Sequence, residues 1–293
     1  MVFQIFFILI KNYLDMKTGN KKIRKIYQKF YYQLVKRHFF AITGPWRVLP
    51  NLIVIGAVRS GTTSLFHYFN EHPCMTSSSY DELGFFDSNF ELGLNWYKSH
   101  FPTKFHKQKI ISKFKKFYTY DVTPFYIWNE NAARRILDTL PNTKLIALLR
   151  NPIDRAYSNY QLSVRDDEKQ SFEEVIKNEM EQGGNFKTKA YGLQNYLARG
   201  IYVNQLEKWY KLFPKKNILV ISTDELKKDP ENTLNSMFQF LDIPKYKVKN
   251  LKKHNKENYK SMNNETRKIL VDFFKEDNKK LYKLIGKKFD WDK

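Results

Sequence analysis

Cysteine is almost absent from this chain: Cys74 stands alone among 293 residues. A single thiol excludes an intramolecular disulfide and leaves no Cys/His cluster that could hold zinc. Cys74 reads as a small buried hydrophobe, and its isolation fits a reducing, cytoplasmic setting. Acidic residues are scarce too, with 30 Asp and Glu against 51 Lys and Arg and a net charge of +21. That imbalance points to an anionic partner: nucleic acid, a membrane surface, a polyanionic glycan or a phosphorylated cofactor. Internal repeats and low-complexity blocks are missing. The apolar run Val2–Ile10 is far short of the about 20 residues that a membrane-spanning helix needs. It also lacks the basic lead and small-residue cleavage site of a signal peptide.

Apolar residues make up 42% of the chain, with 24 Phe and 19 Tyr. That is enough for a sizeable core. Residues 1–48 read as a basic, aromatic, helical extension, and 49–293 as the main domain. Lys11, Lys17, Lys21, Lys22, Arg24, Lys25 and Lys29 follow the apolar tip. Such a segment either lies on an anionic membrane or docks its aromatic side on the domain with its lysines in water.

The short, apolar, β-branched run Leu52–Ile55 predicts a buried strand, and further strands are predicted at Phe117–Asp121, Lys144–Leu149 and Asn217–Ser222. Helices are predicted between and after them: Thr63–Glu71, Asn129–Leu140, Pro152–Val164, Tyr202–Leu212, Pro230–Leu241 and Glu265–Leu284. Asp229 is placed to cap the helix from Pro230, and Gly286 to end the last one. Alternation of this kind implies an α/β fold, a parallel sheet flanked on both faces by helices. Ligands of such sheets sit at the carboxyl ends of the strands.

The first strand runs into Gly56-Ala57-Val58-Arg59-Ser60-Gly61-Thr62-Thr63. This is a P-loop pattern, G-x-x-x-x-G-K-[ST], without its lysine. Its amides and the helix start favour an anion. Ser60, Thr62, Thr63 and Ser64 add hydroxyls, Gly61 the tight turn, and Arg59 a fixed positive charge. The loop can therefore grip a phosphate, whereas an NTPase or kinase lacks both the lysine and an obvious magnesium-binding aspartate.

The strand Lys144–Leu149 ends in Arg150, and Ser158 lies two helical turns beyond. If the two strands are neighbours, the Arg150 guanidinium can take a second phosphate in a fork, with Ser158 donating to it. Taken alone, an arginine capping carbonyls and a serine on a solvated face would account for both residues.

Together, "GAVRSGTTSL" and "LLRNPIDRAYSNY" resemble the sulfotransferases that use 3′-phosphoadenosine 5′-phosphosulfate (PAPS). The likeness is strongest to the branch that includes the heparan sulfate sulfotransferases. Phe273-Phe274, Leu284-Ile285-Gly286 and Phe289-Asp290-Trp291 match the end of that pattern. The resemblance implies a P-loop-like three-layer fold and a 5′-phosphosulfate in the first loop, so no β/γ-phosphate remains for a lysine to reach. It also implies no metal.

The same likeness implies Glu82, ahead of Phe85-Phe86, as general base, with Asp87 as a second acidic site residue. Arg59, Thr62 and Thr63 would meet the leaving group, Lys256 the 3′-phosphate and Tyr259 the adenine. Two positions depart from the 3-O-sulfating relatives. Gly84 replaces a histidine, and Val122 replaces the lysine before Thr123-Pro124. Asp121 remains to orient an arginine or substrate group. The basic run Lys104–Lys116 would steer an anionic glycan or PAPS, or simply be a solvated face.

The expected activity is sulfuryl transfer from PAPS to a hydroxyl or amine of a carbohydrate. Three other readings compete: a P-loop kinase or NTPase, a basic nucleic-acid-binding protein, and an inactive PAPS binder. No nucleic-acid-binding motif accompanies the charge, so nucleic acid is not an expected partner.

Overall fold

The computed structural model describes residues 40–165, 168–181, 195–251 and 259–291. The expectations for the N-terminal tip, for the lysines behind it and for Lys256 fall outside the described residues.

Five parallel strands form one sheet in the order β2-β3-β1-β4-β5. They are β1 (Leu52–Gly56), β2 (Met75–Ser77), β3 (Tyr118–Val122), β4 (Lys144–Leu149) and β5 (Ile218–Ser222). The fold is α/β and P-loop-like, as expected from the sequence. β1 lies between β3 and β4, with Ile53 opposite Asp121 on one side and Leu145 on the other. The loop after β1 therefore opens beside the residues that follow both neighbours.

The alternating side chains of the central strands build two cores. Ile53, Ile55, Leu145, Ala147 and Leu149 face one layer, and Leu52, Val54, Ile146 and Leu148 the other. Near-continuous apolar strands are what a sheet buried on both faces requires. The second layer is roofed by α1 (Thr62–Asn70), through Leu65 and Phe69, and by the helix Pro230–Phe240, through Leu234, Met237 and Phe238. On the opposite face, α2 (Leu94–Ser99) supplies Trp96 and Tyr97, and the helix Tyr202–Leu212 supplies Val203, Leu206 and Trp209.

The remaining helices, in chain order, are α3 (Lys104–Phe114), α4 (Ala132–Thr139), α5 (Pro152–Arg165) and α6 (Phe172–Glu181). After them come α7 (Tyr202–Leu212), α8 (Thr223–Lys228), α9 (Pro230–Phe240) and α10 (Asn264–Ile285). Local chemistry sets several ends. Asp229 caps α9 by accepting from the Asn232 amide, and Gly286 closes α10 with φ 70°. α4 starts three residues later than its apolar pattern suggests. The Asn129 side chain accepts from the amides of Asn131 and Ala132, which holds that stretch as a turn.

Trp291 is buried, and its indole N–H donates to Asp224 at 3.1 Å. The C-terminal Phe-Asp-Trp thus pins α8 and packs on Tyr202 and Tyr282. No helix among the described residues is long and apolar enough to cross a membrane.

Candidate active site

The loop after β1 wraps tightly because Gly61 takes φ 90°, at the cap position of α1. Left-handed backbone of this kind suits glycine. Ser60 and Thr62 are buried beneath the turn. The loop is tied down from below: the single hydrogen of the Thr223 hydroxyl is shared between the carbonyls of Ser60, at 2.7 Å, and Leu149, at 2.9 Å. One hydroxyl thereby joins the chain following β1, β4 and β5.

The sequence expectation that the two phosphate motifs are neighbours holds geometrically. Arg150 donates through Nη1 to the Arg59 carbonyl at 3.1 Å. Arg59 donates through Nε to Ser158 Oγ, also at 3.1 Å. Ser158 is buried on α5. The Tyr202 hydroxyl steadies the turn after β4 by donating to the Arg150 carbonyl at 2.9 Å.

These residues line one side of a cleft of about 730 Å³. Its walls include Arg59 to Ser64, Arg150, Ser158 and Tyr259, and also Glu82, Gly84 and Asp87. Of the described residues that the sequence suggested for catalysis or cofactor binding, all but Asp121 line this one cavity. Tyr68, Leu162, Leu226 and Leu251 give part of it an apolar surface.

Glu82 and Asp87 sit on a loop held from two directions. The Glu82 amide donates to the Val122 carbonyl at 2.8 Å. From α4, Arg135 donates to the carbonyls of Phe86 at 3.0 Å and Asp87 at 3.1 Å, and its guanidinium lies over the Phe90 ring. Phe85 stacks on Tyr97 with centroids 4.3 Å apart. The Glu82 carboxyl is open to the cleft but surrounded by its walls. Desolvation, then the charges of Asp81 and Asp87, push its pKa above the usual glutamate value, with Arg59 opposing.

Two departures noted in the sequence acquire physical content. Gly84 has φ 60°, and a Cβ there would lie 3.0 Å from Asp87 Oδ1. Val122 is buried in the core and is not among the residues lining the cleft. Asp121 does not orient an arginine. It is fully buried and accepts from the hydroxyls of Tyr97, Tyr126 and Thr123.

Arg199, just ahead of α7, is a cleft residue that the sequence reading missed. It is 5% exposed, with its guanidinium 5.0 Å from the Phe125 ring and 5.9 Å from that of Trp128. Burial, and then the nearby Arg155, lower its pKa to about 10. An arginine in a polar stretch between helices carries no sequence signal for such a place. Among the described residues no group of three or more His, Cys, Asp or Glu is positioned to hold a metal ion.

Residues 49–293 match the sulfotransferase domain family. The chain is 28% identical over 328 residues to the membrane-associated sulfotransferase kil1 of Dictyostelium discoideum, covering 85% of this chain and 68% of that protein. It is 30% identical over 272 residues to the bifunctional heparan sulfate N-deacetylase/N-sulfotransferase 1 of Mus musculus, covering 81% of this chain and 30% of that protein. The chain thus spans less than a third of the heparan sulfate enzyme's length. The crystal structure of a sulfotransferase from Alicyclobacillus acidocaldarius superposes with a TM-score of 0.66 at 26% identity, covering 84% of this chain and 100% of that one. The glycine loop after β1, the Arg150–Ser158 segment hydrogen-bonded to it and the acidic loop across the cleft accord with these matches: the chain belongs to the sulfotransferase domain family and is a transferase of sulfur-containing groups.

Proposed function

We propose that the protein moves a sulfuryl group from PAPS to a hydroxyl or amine of a carbohydrate. The observation that carries this reading is the Arg150–Arg59–Ser158 chain of contacts, which brings two anion motifs together opposite Glu82. The donors fit a nucleotide bearing two separate anionic groups. Arg59, Thr62, Thr63 and the loop amides would hold the 5′-phosphosulfate. Arg150 and Ser158 would hold the 3′-phosphate. Tyr259 and the leucine-lined wall would take the adenine; the sequence resemblance assigns Lys256, outside the described residues, to the 3′-phosphate. The glycan assignment draws on the named activity of the heparan sulfate relatives.

PAPS supplies an activated sulfur whose bond to the 5′-phosphate oxygen breaks as the acceptor oxygen or nitrogen bonds to it. Glu82 would take the acceptor's proton. Desolvation makes it a stronger base than an ordinary glutamate. Arg59 and the loop would neutralise the charge that develops on the departing phosphate. Asp87 would orient the acceptor. Residues 49–293 would form the catalytic domain, with 1–48 as a basic extension resting on an anionic membrane, in keeping with the name of the kil1 relative.

The test is isothermal titration with adenosine 3′,5′-bisphosphate without magnesium, beside ATP with magnesium, followed by transfer of labelled sulfate from PAPS to de-N-sulfated heparin. Tight bisphosphate binding is expected, with turnover reduced about 10²–10⁴-fold in Glu82→Gln. Preference for magnesium-ATP would overturn the reading.

A further inference from the structure

Asp121 lies within β3, fully buried. Among the described residues its partners are three hydroxyls: Tyr97 and Tyr126 donate to Oδ2 at 2.9 Å each, and Thr123 donates to Oδ1 at 2.8 Å. Burial outweighs those bonds and raises its pKa to about 6, with the Asp87 charge adding to the shift. A buried charge is costly, and replacing one by well-packed apolar groups is often neutral or stabilising. Packing alone therefore gives no reason for a carboxylate here.

The reason lies one bond further out. A hydroxyl has one hydrogen and two lone pairs. With its hydrogen committed to Asp121, the Thr123 oxygen accepts from the Gly84 amide at 3.3 Å. In the same way the Tyr126 oxygen accepts from the Phe86 amide at 3.3 Å. Those two amides belong to the loop that carries Glu82 and Asp87. Tyr97 differs: its hydroxyl reaches Asp121, while its ring carries Phe85.

We propose that Asp121 is a positioning residue, which fixes the hydroxyls of Thr123 and Tyr126 so that they hold the Glu82 loop at the cleft. In Asp121→Asn the new NH2 group faces either Thr123, at Oδ1, or Tyr97 and Tyr126, at Oδ2, so either Thr123 or Tyr126 must turn its hydroxyl. The loop amide that this hydroxyl served then meets a hydrogen in place of a lone pair. The catalytic consequence rests on the role proposed for Glu82, but the link between Asp121 and the loop does not.

The experiment compares wild type, Asp121→Asn, Tyr126→Phe and Tyr97→Phe at pH 8. Amide hydrogen exchange is followed in the peptides covering residues 82–89 and in those covering β1 and β4. Transfer from PAPS to de-N-sulfated heparin is measured alongside. Asp121→Asn and Tyr126→Phe are expected to speed exchange in the loop but not in β1 or β4. They are expected to lower kcat by about 10–100-fold, as a misplaced catalytic group does, with bisphosphate affinity within about twofold. Tyr97→Phe is expected to stay near wild type in both readouts. Unchanged loop exchange, or exchange raised equally across the sheet, would overturn the proposal, as would a Tyr97→Phe loss equal to that of Tyr126→Phe. If Asp121→Asn fails to fold, Tyr126→Phe against Tyr97→Phe makes the same comparison. A wild type without transfer activity would count against the proposed function, and the exchange data would still decide on Asp121.

Discussion

Arg59 and Ser158, 99 positions apart in the chain, meet through a 3.1 Å hydrogen bond from Nε to Oγ. Each belongs to a different anion motif, so the bond couples the two halves of the candidate nucleotide site. Arg150 adds a second tie through the Arg59 carbonyl.

Arg150→Ala removes that tie together with a guanidinium facing the cleft. A hydrogen bond to a charged group contributes about 1.5–3 kcal/mol, so affinity for adenosine 3′,5′-bisphosphate should fall about 10–100-fold. Titration calorimetry reads this directly, and undiminished affinity would remove Arg150 from the site.

Asp87→Asn should move the acid limb of the kcat/KM pH profile to lower pH. The sign follows from charge. As the proposed base, Glu82 would act only when ionised, and desolvation within the cleft, Asp81 and Asp87 raise its pKa. Removing the Asp87 charge takes away one raising contribution, so Glu82 ionises at lower pH. The amide that replaces the carboxylate would keep an oxygen for the Ser88 hydroxyl, which lies 3.0 Å from Asp87 Oδ1. A limb that stays in place would show that a group other than Glu82 titrates there.

Gly84→Ala should destabilise the loop that carries Glu82 and Asp87. The backbone is left-handed there, and the new Cβ would meet Asp87 Oδ1 at 3.0 Å and Asn89 Nδ2 at 3.3 Å. Left-handed backbone costs an L-residue about 1–2 kcal/mol, equivalent to a melting temperature lower by roughly 2–8 °C for a domain of this size. Differential scanning calorimetry reads the shift.

Much of this was written locally in the chain. β4 and α7 have the bounds that their apolar patterns predicted, and both anion loops follow strands that read as short apolar runs, LIVI and LIALL. β2 escaped notice because it has three residues and an edge position, so Met-Thr-Ser needs no apolar run. α3 escaped because none of its residues is buried, and without a core-facing stripe Lys104–Phe114 reads only as a basic run. The acceptor loop was legible as a motif but not as a geometry. It is held by Tyr126 and Arg135, whose hydrogen bonds to Phe86 span 40 and 49 positions, which no local pattern encodes. Arg199 illustrates the same limit.

The central place of β1 has a thermodynamic consequence. The loop that follows it is closed by Thr223 after β5 and by Arg150 after β4, so no part of the sheet folded alone contains the proposed nucleotide site. Ligand affinity and global stability are then one linked quantity. Adenosine 3′,5′-bisphosphate at a hundred times its Kd should add about 2.7 kcal/mol to the unfolding free energy. A rise in melting temperature that follows the logarithm of ligand concentration would report the whole sheet, and a ligand-independent transition would mean that the site forms without it.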